Sequence, residues 1–205
     1  MMFLAEALVL ALALLVAILR GLPGRPLAPF RGVAIVYTDI FRGTPLILVA
    51  FLVGFGLPGL QLRGISSQSN FIYGVTALTL VYTAYVTEVY RAGIESVHPS
   101  QRASARALGL TYGQALWYVV LPQAVRRVIP PLLNDFIGLQ KDTALVAVIG
   151  VGEAALQAQN FSNTYFNFTS YVVAAVFFIF MTIPLARFTD HLIELRERKE
   201  RAAAI

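Results

Sequence analysis

Apolar runs separated by shorter polar stretches define the pattern of this chain. Crossing a bilayer as a helix takes about 20 mostly apolar residues, and five runs approach or reach that length. They predict membrane spans near residues 3–19, 33–57, 71–90, 128–151 and 170–189. We therefore expect an all-α membrane protein with about five transmembrane helices, in which residues 1–205 form a single domain. The longest polar interruption, residues 91–122, is called the elbow below.

The elbow carries the signals of two short helices. Pro99 marks the start of the first, and Gly109 stands where a left-handed C-terminal residue is favoured. Thr111 and Gln114 have the spacing of a capping box, which predicts a second short helix that ends before Pro122. A helix–glycine–helix elbow between membrane spans is a shape that a membrane protein presents to another protein.

Proline interrupts two of the other runs. The Gly-Thr-Pro sequence at 43–45 predicts a kink in the second run. We expect residues 33–42 to lie at the membrane interface and residues 45–57 to form the core of the span. Pro130 and Pro131 are tolerable near the start of a helix, so they are assigned to the entry of the fourth span. Residues 153–168, polar and aromatic without Lys or Arg, are assigned to a loop.

Composition supports a membrane protein and excludes several other classes. Only 13% of the residues are charged, whereas soluble domains carry about 25%. The absence of cysteine excludes disulfides and thiolate chemistry, and two histidines are too few to suggest a metal site. There is no Walker A sequence, no catalytic triad or carboxylate pair, and no base-stacking surface for nucleic acid. No secretory signal peptide is predicted. If ATP is used, a partner hydrolyses it.

The placement of Lys and Arg predicts the topology. The first connection through Arg42, the elbow with its flanks and the C-terminal tail together hold fourteen of the sixteen basic residues. The other two connections hold only Arg63, and Lys141 lies within the fourth run. The positive-inside rule then places the elbow and the C-terminus in the cytoplasm and the N-terminus outside. Five spans satisfy this alternation.

The elbow offers the first group of candidate functional residues. They are Gln101, Arg102, Ala103, Ser104, Ala105, Arg106, Ala107, Leu108 and Gly109. Small side chains at 103, 104 and 107 would let a partner approach the helix backbone closely, while Arg102 and Arg106 lie on another face. The same pattern fits an amphipathic helix lying on anionic lipid headgroups, and composition alone does not separate the two interpretations.

The fourth run holds the second group, which we assign to a substrate path. Its members are Asn134, Gln140, Lys141, Asp142 and Thr143, together with Glu153 just beyond the run. A charge at the bilayer centre costs roughly 2.5–3.5 kcal/mol on insertion scales, so such residues usually face protein or water. They would line a path or pin a helix–helix contact, unless the cluster lies near the interface. Glu153 is either a recognition group for a substrate cation or a solvated loop residue.

Four segments together resemble a known family. They are IFRGTPL at 40–46, AYVTEVYRAGIESV at 84–97, SQRASARALGL at 100–110, and the segment from VLPQ to VGE at 120–153. They resemble the membrane subunit of polar amino-acid ABC importers, the histidine/glutamine/arginine permease family. The resemblance implies that the elbow is the cytoplasmic coupling helix that docks into a groove of an ATPase subunit. It places the chain in the bacterial inner membrane as a multi-pass protein.

The resemblance also implies an assembly. Two permease subunits, identical or sister chains, would sit on a pair of ATPases that bind ATP and Mg, and an external binding protein would deliver the amino acid. Two departures from the family stand out: Ala103-Ser104-Ala105 replaces the usual Glu-Ala-Ala, and Ser100 replaces a glycine. The sequence ahead of the first span is also shorter than usual.

Two alternative functions compete with amino-acid import. One is an ABC importer permease for another small polar solute, which would share the elbow but not the substrate. The other is a secondary transporter that needs no ATPase, which would also place polar residues in the fourth span. The absence of an internal repeat disfavours the second alternative.

Overall fold

The protein is described by a computed structural model that covers residues 1–21, 24, 26–66 and 68–203, without the side chains of 196, 197 and 199–203. Every regular element in that part of the chain is helical. The helices are α1 (Met2–Gly21), α2 (Ala28–Gly43), α3 (Leu46–Gly59), α4 (Asn70–Glu95), α5 (Pro99–Ala107), α6 (Tyr112–Ile149), α7 (Ala154–Tyr165) and α8 (Thr169–Ala203). Arg25 and the side chains of Arg196, Lys199 and Arg201, which entered the charge count, lie outside this description.

Helix α4 is the centre of the bundle. Ala5, Val9 and Ala13 form a fully buried stripe of α1 against the core, at the spacing of one helix face. Residues of α3 and α6 join the same cluster around α4, with Leu78 and Leu139 completely buried. Within a bilayer, close van der Waals packing of these buried side chains holds the helices around α4, because lipid tails are as apolar as the side chains themselves.

The helices have the length and composition of membrane spans. Met2–Gly21, Asn70–Glu95 and Thr169–Leu195 are each long and apolar enough to cross a bilayer. Two bent helix pairs raise the number of candidate spans to as many as five. The all-α membrane class predicted from the run lengths is therefore confirmed.

The second run bends sharply at the predicted position. Between α2 and α3 the chain turns by 106°. Thr44 is extended and its hydroxyl donates to the carbonyl of Ile40 at 2.8 Å, while Pro45 precedes the first turn of α3. Because the turn is so large, α2 does not continue the direction of α3; its position at the membrane interface remains a prediction.

Three prolines lie inside α6, where the sequence predicted a helix end and a helix start. The predicted stop before Pro122 is wrong, because a π-helical turn at Leu116–Val120 leads directly into the α-helical stretch Leu121–Asp142. The wider π turn lets the helix accommodate the ring of Pro122, which would otherwise clash with the preceding turn. Pro130 and Pro131 lie in the middle of this stretch and not at its entry. The elbow and the fourth span therefore share one helix.

Residues 153–168, predicted to be a loop, also differ from expectation. Residues 154–165 form α7, which is inclined by 47° to α6. Glu153 is its N-cap, and its Oε1 accepts the backbone N–H of Leu156 at 2.9 Å. A carboxylate at this position accepts a hydrogen bond from a backbone N–H that has no partner within the helix, and its negative charge is stabilised by the positive end of the helix dipole. These two interactions explain why a polar segment is helical.

Candidate coupling and translocation sites

The helix α5 of the elbow is closed at both ends by local hydrogen bonds. At its start, Nδ1 of His98 accepts the N–H of Ser100 at 3.2 Å, and Pro99 occupies the first helical position. At its end, Gly109 has φ of +89°, its N–H donates to the Arg106 carbonyl at 3.0 Å, and the Leu110 N–H donates to the Ala105 carbonyl at 3.2 Å. These two bonds form a Schellman motif, so the left-handed role predicted for Gly109 is confirmed.

The capping box predicted at Thr111 is also present. The Thr111 N–H donates to Oε1 of Gln114 at 2.8 Å, and the Gln114 N–H donates to the Thr111 hydroxyl at 3.3 Å. This box opens α6 itself rather than a separate short helix. Only four residues therefore separate α5 from α6, and the box caps the start of α6.

The small residues of α5 face outward. Ala103, Ser104 and Ala107 are exposed, whereas Ala105 is buried. Beyond them Leu108 is 82% exposed at the tip of the elbow. An exposed apolar tip beside a row of small side chains is a surface that a protein groove can enclose.

The two arginines of α5 make contacts within the elbow. The Arg102 guanidinium lies over the Tyr112 ring, 5.6 Å from its centroid. Arg106 donates to the carbonyl of Leu110 at 3.1 Å, which reinforces the end of the helix. Gln101 is exposed in the first turn. The arginines thus help to hold the elbow in shape.

The seam between α4 and α6 holds part of the predicted substrate path. The Tyr82 hydroxyl donates to Oδ2 of Asp142 at 2.8 Å, so this membrane-level carboxylate is bonded to the central helix. Gly138 lies opposite the same phenol, since a Cβ there would be 3.1 Å from the hydroxyl oxygen. Asp142 therefore takes part in a helix–helix contact.

Gln140 and Thr143 are likewise engaged in packing. Gln140 is 3% exposed, and its Oε1 accepts the hydroxyl of Thr182 on α8 at 3.0 Å. Its Nε2 finds no acceptor among the described residues. The Thr143 hydroxyl donates to the Gln140 carbonyl at 2.7 Å, where α6 tightens into a 3-10 turn.

The remaining path candidates do not gather around Asp142. Lys141 and Asn134 are exposed on other faces of α6, and Glu153 is half-buried as the cap of α7. Among the described residues no three His, Asp or Glu side chains come together in a way that could hold a metal ion. The structure thus divides the predicted set between a packed seam and outward-facing groups.

An ion-pair cluster at the elbow end of the bundle was not predicted. Glu88 of α4 pairs with Arg20 of α1 and with Arg91 at 2.8 Å, and Arg42 of α2 lies 3.8 Å away. Arg20 also donates to the Thr38 hydroxyl at 2.8 Å. One carboxylate therefore ties the ends of three helices together. The signal available in the sequence was that these charges all fall at run ends assigned to the same side.

A mainly apolar cavity with several charged residues in its wall lies beside this cluster, between α4 and α6. Its volume is about 530 Å³, and Glu88, Arg42, Arg127 and Asp135 are among the charged residues that line it. Arg127 donates to the backbone carbonyl and, at 3.1 Å, to the hydroxyl of Ser96, the residue that ends α4. Asp135 was left out of the predicted path, although its position seven residues before Asp142 puts both on one face of α6.

This fold, a helical bundle with a capped elbow and charges along one seam, is that of a multi-pass membrane permease. The chain matches the family described as binding-protein-dependent transport system inner membrane component over residues 10–198, and it belongs to that family. The family supplies the membrane subunit of ABC transporters, in which the ATPase is a separate subunit. The chain is therefore a transport subunit and not an enzyme.

Three similar proteins from other bacteria are named as amino-acid permeases. The probable glutamine permease protein GlnM of Bacillus subtilis is 37% identical over 165 residues, which cover 80% of this chain and 74% of the relative. The arginine permease protein ArtQ of the same organism is 36% identical over 166 residues, covering 81% and 74%. The glutamate permease protein GluC of Corynebacterium efficiens is 36% identical over 178 residues, covering 82% and 78%.

Solved structures share the fold. A crystal structure of an amino acid ABC transporter with histidines is 33% identical in sequence and superposes with a TM-score of 0.86, covering 95% of this chain and 88% of that one. An inward-facing structure of the MetNI methionine transporter has a TM-score of 0.75 at 17% identity, over 95% and 90% of the two chains. The second comparison shows a common fold alone.

Proposed function

We propose that this chain is the permease subunit of an ATP-driven importer through which a polar amino acid, delivered by an external binding protein, crosses the inner membrane. Family membership and the amino-acid permeases among its relatives support the substrate class. The observation that carries the coupling role is the elbow, which is rigidly capped and presents small residues and Leu108 outward.

The partners follow from that role. A pair of ATPase subunits, which bind ATP and Mg, would each receive one elbow in a surface groove. A second permease subunit, either identical or a sister chain, would complete the membrane part. In the family the docking sequence usually has Glu-Ala-Ala, whereas this chain has Ala103-Ser104-Ala105, so shape rather than a salt bridge at that position would carry the contact.

The topology belongs to the same proposal. With the elbow and the C-terminus in the cytoplasm and the N-terminus outside, the Glu88 cluster and the adjacent cavity lie on the cytoplasmic side. ATP and the loaded binding protein must then favour the same conformation, because a ligand shifts an equilibrium only by its differential affinity for the two states. The elbow would transmit closure of the ATPase pair to α6.

The substrate path is proposed to include Asn134, Gln140, Lys141, Asp142, Thr143 and Glu153. The Tyr82–Asp142 bond on the side of α6 that faces α4, and the unpartnered Nε2 of Gln140 on the side that faces α8, support polar positions at this level of α6. Lys141 and Glu153 are charged groups outside the packed seam, and the proposal assigns both to the path. Asn134 lies two turns nearer the elbow.

The decisive experiment is purification from membranes followed by reconstitution. We expect an ATPase and a second permease to co-purify, and we expect proteoliposomes with ATP inside and loaded binding protein outside to import labelled arginine, glutamine or glutamate. Uptake by the isolated chain, driven by an ion gradient without ATP, would support the secondary-transporter alternative and contradict the proposal.

The role of Glu153 has its own test. Glu153→Gln removes the charge but keeps an oxygen that can accept the Leu156 N–H, so α7 remains capped. If Glu153 selects cations, uptake of arginine falls relative to glutamine. Glu194→Gln, an exposed carboxylate on α8, is the matched control. An unchanged preference among arginine, glutamine and glutamate would remove Glu153 from the path.

A further inference from the structure

A second cavity, called the α1–α6 groove here, lies at the elbow end of the bundle. Its volume is about 720 Å³, and its mostly apolar wall is formed by α1, the end of α4, the elbow and the first half of α6. Three of the apolar side chains in this wall, Leu14, Ile18 and Val125, are 52%, 54% and 52% exposed. The groove is therefore open to its surroundings between α1 and α6.

The open side of the groove lies at membrane depth. Leu14 and Ile18 belong to a helix that is long and apolar enough to cross a bilayer, and Val125 belongs to one of the bent candidate spans. An empty apolar groove forfeits dispersion contacts, so within a bilayer lipid tails fill it. Leu14 lies seven residues before Gly21, or about 10 Å at 1.5 Å per residue, less than half of the ~30 Å hydrocarbon core. The tail that fills the groove therefore comes from the leaflet on the elbow side.

The elbow adds one arginine to the wall of this groove. Arg102 lies over the ring of Tyr112, also in the wall, and among the described residues it makes no ion pair with a carboxylate. Glu95, the acidic residue of the same wall, is already paired with Arg91. The surrounding sequence is basic, because residues 96–134 contain four arginines and no Asp or Glu. A phosphate group supplies the negative charge that is missing here, and a guanidinium group can bind it through two hydrogen bonds.

Exposed aromatic residues place this part of the elbow at the depth of lipid headgroups. Tyr112 lines the groove and is 60% exposed, and Trp117 and Tyr118 follow it within two turns with 67% and 68% exposed. Tryptophan and tyrosine are enriched where a membrane meets water, since their rings are apolar and their N–H and O–H groups are polar. Arg102 therefore lies where a lipid phosphate would be found.

We propose that the α1–α6 groove binds one anionic phospholipid, with the phosphate on Arg102 and an acyl chain between α1 and α6. Basic pockets between membrane helices are the kind of site that binds anionic headgroups. The site is separate from the docking surface assigned to the elbow, because Ala103, Ser104 and Ala107 do not line the groove. The inference requires only that the elbow lies at a membrane surface, so it does not depend on which solute is carried.

The test measures lipid binding to the protein purified from membranes with its partner subunits. The delipidated complex in detergent is titrated with dioleoylphosphatidylglycerol or dioleoylphosphatidylcholine, and bound lipid is counted by native mass spectrometry. We expect the wild type to bind the anionic lipid more tightly. Arg102→Gln should weaken that binding about tenfold, as expected for loss of a hydrogen bond to a charged group, and Arg102→Lys should keep part of the preference. Arg187→Gln, an exposed residue of α8 outside the groove, is the matched control.

A second pair of variants tests the acyl chain. Gly21 lines the groove, and a Cβ there would meet no atom within 4 Å, so a leucine side chain has room to occupy part of it. Gly21→Leu should therefore weaken binding although Arg102 is unchanged. Gly32→Leu, in equally open space on α2, should bind lipid as the wild type does. Glycerol phosphate, which has the headgroup charge without the chains, should not displace the lipid.

Several results would overturn the inference. They are equal affinity for the two lipids, wild-type binding by Arg102→Gln or Gly21→Leu, an equal loss in Arg187→Gln, and displacement by glycerol phosphate. Binding by the isolated chain but not by the complex would show that a partner subunit covers the groove, which also contradicts the inference. Absence of ATP-dependent uptake from a complex that still binds the lipid would overturn the proposed function alone.

Discussion

The elbow and the α4–α6 seam are stabilised in opposite ways. The caps of the elbow join residues two to five positions apart, such as Thr111 with Gln114 and Leu110 with Ala105. The seam and its adjoining cluster include contacts between residues far apart in the sequence, such as Tyr82 with Asp142, 60 positions apart, and Arg20 with Glu88, 68 positions apart. The elbow is exposed and locally defined, whereas the seam is buried and defined only by the complete bundle.

The shape of the elbow is therefore defined by its own residues, whereas the seam forms only when the helices of the bundle pack together. Helix α5 and its two caps can keep their shape while they move with a partner, because their hydrogen bonds join only residues between 98 and 114. The seam would be disturbed by any shift of α4 against α6, because the Tyr82–Asp142 hydrogen bond joins these two helices. Changes in the seam should therefore affect stability and transport together, and changes in the elbow should affect mainly the coupling of transport to ATP hydrolysis.

The largest effect is expected from Glu88→Gln. The change removes the charge that holds three guanidinium groups at the ends of α1, α2 and α4, at a cost of about 3 kcal/mol. Both the thermal midpoint of the purified complex and its uptake should fall. Glu194→Gln, which breaks only an exposed pair with Arg198 at 3.8 Å, should change the midpoint little. Equal midpoints for the two variants would contradict the role of Glu88.

A smaller loss is expected from Gly93→Ala, which tests the packing of the seam. A Cβ at this position would lie 2.1 Å from Cγ1 of Val128, and a β-branched side chain has little freedom to move away. Overpacking should cost about 1–3 kcal/mol. Adding Val128→Ala should restore much of the loss, and Gly32→Ala, with open space around it, should be nearly neutral. Absence of rescue in the double variant would show that the close approach is not the cause.

The third prediction concerns the elbow alone. Gly109→Val places a β-branched residue at φ of +89°, a strain of roughly 1–2 kcal/mol. Membrane insertion and the thermal midpoint should change little, while uptake per ATP hydrolysed should fall because the end of α5 no longer keeps its shape. Gly113→Ala, in open space in the first turn of α6, is the matched control. Normal uptake by Gly109→Val would remove the docking role from the elbow.

The smallest effect is expected from Thr111→Val, which removes one hydrogen bond of the capping box at almost constant volume. Loss of a threonine cap costs about 1 kcal/mol. Coupling should weaken slightly, with fraying at the start of α6 detected as faster amide hydrogen exchange. Thr164→Val, which removes only a bond to the carbonyl of Asn160 in the same helix, should show no such change in α6. Identical exchange in both variants would mean that the box does not hold the junction.

The sequence was sufficient to predict the features that depend on residues adjacent in the chain or on the thickness of the bilayer. Gly109, the Thr111–Gln114 box and the kink at 43–45 were all predicted, because each depends on a few adjacent residues. The π turn before Pro122 was missed, since a proline has the same composition signal whether it ends a helix or is accommodated within one. The cap formed by Glu153 was missed because a polar, aromatic segment resembles a loop.

The candidate site was less predictable than the fold. Asp142 and Gln140 were chosen for their cost in a membrane, but their partners Tyr82 and Thr182 lie 60 and 42 residues away. Glu88 was assigned to the end of a span without the three arginines that surround it. Such pairings depend on how the helices cross, and a single sequence without a pattern of joint variation does not specify the crossing.

The continuity of α6 has a mechanical consequence. Tyr112 and Asp142 are thirty residues apart in one continuous helix, which corresponds to about 45 Å at 1.5 Å per residue. Pro130 and Pro131 remove two successive backbone hydrogen bonds near the middle of that helix. A displacement at the Tyr112 end of α6 would therefore be transmitted along the helix to Asp142. The helix can bend near Pro130 and Pro131, where the hydrogen bonds are missing, and this bend would set the direction of the movement.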